Sequence, residues 1–517
     1  MSADSASAAG VPDADSRVKI QNLKKVFNPK TIAIVGASSE PGKVGYQILN
    51  NVIKNGYKGK IYPINKKSTE ILGTPCFPSV SDVPTDIDFA VIAVPAPMVE
   101  GVLKECVRKN VKGTVIITSG FSEIGKKEEE QRLKDLADAH DIALLGPNTF
   151  GFVYTPSNLN ASFGPQNVAP GKIAFVSQSG ALAISLMGWT MMEKIGLASV
   201  VSLGNKADIG EKELIEYFND DPNVGVVLIY MEGIKDGRKF MSTKIKKPVV
   251  VLKSGSSSRG AQAAASHTGS LSGSDKIYTA AFNQLGMMRA KTFTQAFAAA
   301  SVLSLPVPTG DETVIITNGG GIGVSATDEC ENAGIKLLED PAWLEEKFRP
   351  TMPEFGSTKN PVDVTGGGGC DSYRKAVHIG LAEDKVKALI VLYCETAVTD
   401  PVQVAKAIVE EYNAVKRNKP LVVTMVGGER SRQAIQILNE NQIPAMTEVR
   451  EAVGGLKSLY SWKEISSRTR EKAKSAEIPA KALEIIEAIR AEGRTFLLEH
   501  ESRQVLELCG VPMPKWG

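Results

Sequence analysis

Short β-branched runs alternate with longer amphipathic stretches from Thr31 onward, and the alternation starts afresh twice. TIAIVG, GKIYPIN, FAVIAVP, GTVIITSG and IALLGPN form a first set. KIAFVSQSG, ASVVSLG, VGVVLIYME and PVVVLKSG form a second, and TVIITNGGG, NPVDVTGGG, ALIVLYCE and PLVVTMVGG a third. A run of this kind is the signature of a strand buried on both faces, and each intervening stretch is long enough for a crossover helix. The pattern predicts an α/β chain of three doubly wound Rossmann or flavodoxin-like domains in series. Turn formers in TPSNLNASFGPQNVAPG and LPVPTGDE mark the joints. The expected division is a disordered tail over 1–21, domains over 22–155, 166–305 and 310–462, and a helical segment over 475–517. That last segment reads as two helices without a following sheet, the entrance to a domain that these residues do not contain.

At roughly 100 to 200 residues per domain, 517 residues accommodate three or four cores. The 60 Lys and Arg against 58 Asp and Glu leave a charge of +2, so no global field draws the chain to nucleic acid or an anionic membrane. Six scattered cysteines without a C-x-x-C pair predict neither zinc nor disulfides and fit a reducing cytoplasm. The longest uncharged stretch, Thr292 to Gly310, is broken by Pro306 and Pro308 and makes a poor membrane span. The opening MSADSASAAGVPDADS lacks the basic and apolar regions of a secretory signal and is expected to be a mobile tail.

Chemistry concentrates where predicted strands end. IVGASSEPGKVG, Ile34 to Gly45, runs a strand into a Gly/Ser turn and then a helix, which would offer backbone N–H groups to a phosphate. Gly36, Gly42 and Gly45 do not make the strict dinucleotide fingerprint, and the next strand ends in Asn65, Lys66 and Lys67, where an NAD site wants an acid. Lysines suit a phosphorylated ribose such as that of CoA; a tight structural turn without ligand is the alternative. VPAP, TSGF and GPNT end the remaining strands of this sheet and would line its crevice.

VSQSGAL, Val176 to Leu182, repeats the strand, turn and helix order, with Ser177, Ser179 and Gly180 placed to cradle an anion. It lacks the G-x-S-x-G of a serine hydrolase. In AAASHTGSLSG, His267 sits among small residues that leave room for a phosphate, and a neutral imidazole accepts phosphoryl groups. Glu232 ends its strand where a carboxylate could hold one ring nitrogen and leave the other to attack. TNGGGIGVSA and VDVTGGGG are glycine-rich strand exits that suit either a phosphate or a second backbone.

Taken in order, GASSEPGKVG, PINK, VPAP, GPN, VSQSGAL, ME, SHTGSLSG, NGGGIGV and PVDVTGGG resemble the ADP-forming acyl-CoA synthetases and their relative succinyl-CoA synthetase. The resemblance runs from about Asn22 to Tyr460. It implies that the first domain binds CoA on Gly36, Ala37, Ser38, Ser39, Lys66 and the turn Thr118, Ser119 and Gly120. It implies a phosphorylated His267 with Glu232 as partner, and phosphate held at Ser177, Gln178, Ser179 and Gly180. A second phosphate-holding helix start is expected in LYCETAVTDP, after Cys394. The implied reaction joins a small carboxylic acid to CoA at the expense of ATP, through acyl phosphate and phosphohistidine, with release of ADP and phosphate. ATP or ADP and Mg2+ would sit on an ATP-grasp module, carried on a longer form of the chain or on a separate subunit of an oligomer, and the final helices resemble the opening of that module. Thr149 stands where succinyl-CoA synthetases have Cys and favours the ADP-forming branch. Two other classes compete: a non-catalytic CoA- or nucleotide-binding regulator, which has no need of His267 and Glu232, and an NAD-dependent dehydrogenase, which needs the missing ribose-binding acid.

Overall fold

The computed structural model describes residues 14–257, 259–260, 262, 274–468 and 478–514. The chain divides into two compact units, residues 15–467 and a smaller one formed by the two ends of the chain. In the smaller unit the described residues form helices Ala480–Ala491 and Glu499–Leu508, and Arg494 in the connection pairs with Glu492 and Glu501.

The large unit contains three main sheets and a two-stranded one; the β-branched runs form most strands of the main sheets, and Gly151–Tyr154, Leu159–Ser162, Met288–Ala290 and Ala445–Met446 join them from outside those runs. The first consists of parallel strands β1 (Thr31–Val35), β2 (Lys60–Ile64), β5 (Phe89–Ile92), β6 (Gly113–Ile116) and β7 (Ala143–Leu145), in the order β2-β1-β5-β6-β7. A small hairpin, β3 (Glu70–Ile71) and β4 (Thr74–Pro75), lies in the chain between β2 and β5. The second comprises β8 (Gly151–Tyr154), β9 (Leu159–Ser162), β10 (Pro170–Ser177), β11 (Leu197–Ser202), β12 (Val226–Met231), β13 (Val249–Lys253) and β14 (Met288–Ala290), ordered β14-β13-β12-β10-β11-β8-β9. The third has β15 (Thr313–Thr317), β16 (Val362–Asp363), β17 (Ala388–Cys394), β18 (Leu421–Val426) and β19 (Ala445–Met446), ordered β16-β15-β17-β18-β19.

The parallel strands of each main sheet therefore reverse their order once: between β1 and β5, between β10 and β12, and between β15 and β17. At such a point the helices leave on opposite faces and open a crevice beyond the carboxyl ends of the strands. The apolar runs that form these strands are buried almost throughout, as in β12 and β17, so the strand ends are held on a rigid support.

Two expectations need correction. The stretch expected to join the first two domains contains β9, and β8 just before it pairs antiparallel with both β9 and β11. The second sheet thus begins at Gly151 rather than near 166; these strands are short and partly polar, and they are recruited by an open sheet edge. Of the tail expected over 1–21, residues 1–13 lie outside the described residues and 14–21 belong to helix Ala14–Phe27. Leu23, Val26 and Phe27 make an apolar stripe at helical spacing and are fully buried.

That helix locks the first sheet to the second. Phe27 stacks on Tyr217 at 4.8 Å and meets Phe152 edge-on at 5.0 Å. The Lys19 amine pairs with Asp138 of the first-sheet layer and, at 2.6 Å, with Asp208 of the second. The second and third sheets are joined by helices Phe293–Leu303 and Val449–Ser467, which approach so closely at Gly455 that a Cβ there would lie 2.6 Å from Val302.

Candidate functional site

The strand ends of the first two sheets open on one cavity of about 710 Å3. The second sheet supplies the start of helix Gly180–Met192 and the end of β12. Ser179 caps that helix, its hydroxyl accepting from Leu182 N at 3.4 Å. Gly180 and Ala181 then face the cavity in the first turn, where backbone N–H groups have no partner within a helix and the dipole favours an anion.

Across the switch point, Glu232 and Gly233 line the same cavity. Gln178 ties the two sides together. Its Oε1 accepts from the backbone nitrogens of Glu232 at 2.7 Å and Gly233 at 3.0 Å, and its Nε2 donates to Gly233 O at 2.8 Å and to Glu211. Lys206 adds a second tie, bonding Glu211 and Gly233 O at 2.8 Å each. The backbone on which Glu232 sits is thus held from two directions.

These bonds refine the residues expected to hold phosphate. Ser177 is fully buried, and its hydroxyl donates to Ser179 O at 2.8 Å and accepts from Ser179 N at 3.1 Å. It shapes the turn and does not reach the cavity. The Gln178 amide is committed to the β12 end. Of the four, Gly180 offers a backbone N–H that has no partner within the helix, and Ser179, whose hydroxyl oxygen caps Leu182 N, keeps its hydroxyl proton for a ligand.

In the first sheet, Gly36 has φ +89° and approaches the end of β5 so closely that a Cβ would lie 2.3 Å from Ala93 O. Only glycine fits there. Ala37 is buried, with its carbonyl accepting from Asn65 Nδ2 at 2.8 Å; Ser38 accepts from Glu40 N at 3.0 Å; Ser39 and Lys66 are exposed. These residues follow the β1 and β2 ends at the switch point, while Val44, Val94, Thr118 and Ser119 face the shared cavity. The Thr118 hydroxyl donates to Val94 O at 2.6 Å. Gly120 N is already taken, because it donates to the carboxylate of Glu123.

The sequence reading missed Glu123, Asn205 and Lys206. Burial alone would raise the Glu123 carboxyl, but hydrogen bonds from Gly120, Asn205 and Phe121 hold it below the usual carboxylate range. Asn205 and Lys206 follow Gly204 in the turn after β11, a strand end in the same position as the motifs that were recognised; that position was their signal. Lys253 at the end of β13 is also buried, with its amine 4.5 Å from the Tyr278 ring. Burial holds that amine below the usual lysine value.

His267 lies outside the described residues, so its position relative to Glu232 stays an expectation. The helix start expected after Cys394 belongs to helix Pro401–Ala414, and its cap is Asp400, whose carboxylate also binds Arg430 at 2.7 and 2.8 Å. A carboxylate already fills that helix end, which disfavours a phosphate. The likeness to Ser177–Gly180 lies instead at Thr317–Gly320. The Thr317 hydroxyl donates to Gly319 O and accepts from Gly319 N, both at 3.0 Å. Asn318 pins Cys394 through its nitrogen and carbonyl, at 2.8 and 2.9 Å, as Gln178 pins the end of β12. There the parallel stops, because Glu395 accepts from Gly428 N at 2.8 Å and Ser431 Oγ at 2.7 Å and so serves the next helix.

Comparison with known proteins agrees with this geometry. Residues 30–155 match a CoA binding domain, 170–303 a succinyl-CoA ligase like flavodoxin domain, and 313–469 a ligase-CoA domain. The chain is 52% identical over 464 residues to the subunit alpha of acetate–CoA ligase (ADP-forming) I from Pyrococcus furiosus, covering 87% of this chain and 100% of that protein. It is 40% identical over 506 residues to acetate–CoA ligase (ADP-forming) from Methanocaldococcus jannaschii, covering 95% of this chain and 71% of the relative. Among solved structures, acetyl-coenzyme A synthetase 1 of Ca. Korarchaeum cryptofilum, in complex with phosphate and ADP, superposes with a TM-score of 0.81 at 45% identity, covering 86% of this chain and 97% of that one. The cavity between the first two sheets, the three matched domains and this identity along nearly the whole chain agree: the protein belongs to the ADP-forming acyl-CoA synthetases, a family of acid–thiol ligases.

Proposed function

We propose that the chain activates a small monocarboxylic or related acid by the reversible reaction of acid, CoA and ATP to acyl-CoA, ADP and phosphate, with His267 carrying the phosphoryl group. The observation that carries this reading is the meeting of a helix start and the Glu232 strand end on one cavity, tied by Gln178. Phosphate at Ser179, Gly180 and Ala181 is stabilised by the N–H groups of Gly180 and Ala181, which have no partner within the helix, by the Ser179 hydroxyl and by the helix dipole. It attacks the acyl-CoA thioester, and the thiolate of CoA leaves into the first-sheet crevice at Gly36 and Thr118. His267 then takes the phosphoryl group from the acyl phosphate and releases the acid. Glu232 holds the other ring nitrogen and stabilises the imidazolium character of the phosphorylated state. The protein does this mainly by in-line placement and charge neutralisation.

Transfer of the phosphoryl group to ADP requires a nucleotide site. The relatives named as subunit alpha support placing that site, with its Mg2+, on a partner subunit with an ATP-grasp fold. Among the described residues, no group of three His, Cys, Asp or Glu side chains is arranged to hold a metal ion. Mg2+ bound with the nucleotide neutralises phosphate charge. The turn Gly319–Gly320 is a better second helix start for the travelling phosphoryl group than the one capped by Asp400. Relatives named for acetate and 4-hydroxybutyrate support a small acid. No described helix is long and apolar enough to cross a membrane, and the free cysteines support a cytoplasmic setting.

Labelled phosphate offered with acetyl-CoA, or labelled acetyl phosphate, tests the central step. The expected result is an acid-labile, alkali-stable label that is lost in His267→Ala and slowed in Glu232→Gln. A label that survives in His267→Ala rules the phosphohistidine out.

A further inference from the structure

The turn that follows β6 holds an anion of its own. Gly120 N donates to Glu123, and Phe121 N lies 3.2 Å from each oxygen of the same carboxylate. Asn205 Nδ2 donates to it at 2.5 Å and is itself braced by Glu130 at 2.8 Å and Asn148 at 3.2 Å. Successive backbone N–H groups in a turn form a nest for an anion, whether phosphate or substrate carboxylate. Glu123 fills this one.

Among the described residues, its charge is not balanced within the cavity. The lining carries Glu123, Glu232, Lys206 and Lys235. Both lysines pair with acids outside the lining, Lys206 with Glu211 at 2.8 Å and Lys235 with Glu130 at 3.4 Å. Among the described residues the two carboxylates therefore dominate, and much of the remaining wall is apolar, from Val94 and Ile117 to Phe150, Phe163 and Ile184.

We propose that Glu123 is a specificity-determining residue that makes this cavity accept monocarboxylic acids and reject acids carrying a second carboxylate. This rests on the acyl-CoA synthetase reading of the same cavity. A monocarboxylate places its one charged end at the helix start and lays its chain on the apolar wall. A second carboxylate would meet like charge on a half-buried wall, and the N–H donors it needs are already bonded to Glu123.

The test uses the holoenzyme, reconstituted with its nucleotide-binding subunit, and compares butyrate with succinate, which share a four-carbon chain and differ by the second carboxylate. The wild type is expected to favour butyrate in kcat/KM by about 100-fold, and Glu123→Gln to lower that ratio by about tenfold or more, since a like-charge contact is removed. Asn205→Ala, which loosens Glu123 without discharging it, should keep the preference, and Asn205→Lys, which neutralises it in place, should lower it even where Glu123→Gln does not fold. Equal use of both acids by the wild type overturns the inference. So does an unchanged ratio in folded Glu123→Gln or in Asn205→Lys, and so does loss of butyrate turnover in folded Glu123→Gln, which would make Glu123 part of the chemistry. A wild-type holoenzyme that binds CoA but activates no acid removes the functional reading itself, and this inference with it.

Discussion

The side-chain oxygen of Gln178 lies 2.7 Å from the backbone nitrogen of Glu232, so the residue after β10 fixes the residue after β12 across the switch point. Substrate-independent order of this kind is what phosphoryl transfer needs, because a displacement of about 1 Å costs roughly 100-fold in rate.

Gln178→Ala should therefore slow phosphorylation of His267 by about 10- to 100-fold. The KM for CoA should change little, because the first-sheet crevice is untouched. Rapid-quench measurement of phosphoenzyme formation, beside steady-state KM, checks both. A variant with normal phosphorylation would show that Glu232 needs no such support.

Lys19 is almost fully buried between Asp138 and Asp208. Removing Lys19 leaves the buried Asp208 carboxylate without its counter-charge, while Asp138 keeps Lys134, and loss of one partner of a buried ion pair costs about 3 to 5 kcal/mol. Lys19→Ala is expected to lower stability by an amount of that order in denaturant unfolding. Lys19→Ala combined with Asp208→Asn should recover part of it.

The Glu123 carboxyl is held below its usual value, so its contribution to stability is fully present above the unfolded value of 4.5 and is lost as pH falls through the lower folded value. The Tm difference between wild type and Glu123→Gln should be largest near neutral pH and shrink below pH 4.5. A difference that grows on acidification contradicts the hydrogen-bond assignment.

Gly36→Ala places a Cβ 2.3 Å from Ala93 O at a φ of +89°. Backbone strain of this kind costs about 1 to 3 kcal/mol, and relief of the contact must move the β1 turn. Calorimetry should show weakened CoA binding. Labelling of His267 from acetyl phosphate should persist, since that step does not use the first sheet.

The three sheets were legible because a strand buried on both faces has little choice but to be a β-branched run, and TIAIV or ALIVLYC can hardly be anything else. Motifs such as VSQSG were legible because each sits at a strand end, where doubly wound sheets place ligands. What escaped depended on distant partners. GFVY and LNAS are too short to identify themselves, and they are strands because β11 offers an edge. The helix from Ala14 was hidden by the composition of the residues before it, although its Leu23, Val26 and Phe27 have helical spacing. Gln178 and Ser177 looked like ligands for phosphate, yet their polar atoms are bonded to neighbouring backbone and, for Gln178, also to Glu211. Glu123 was invisible because nothing in a linear sequence announces that a carboxylate will fold back on the turn three residues before it.

The duplicated turns carry a lesson for protein engineering. Gln178 reaches Glu232 and Gly233, whereas Asn318, one methylene shorter, reaches only Cys394. The carboxylate that follows β17, that of Glu395, caps the neighbouring helix through Gly428 and Ser431. A designer wishing to install acid–base chemistry on the third sheet would have to change two things together. The amide arm at 318 must be lengthened, and the helix start at 428–431 must be given another cap.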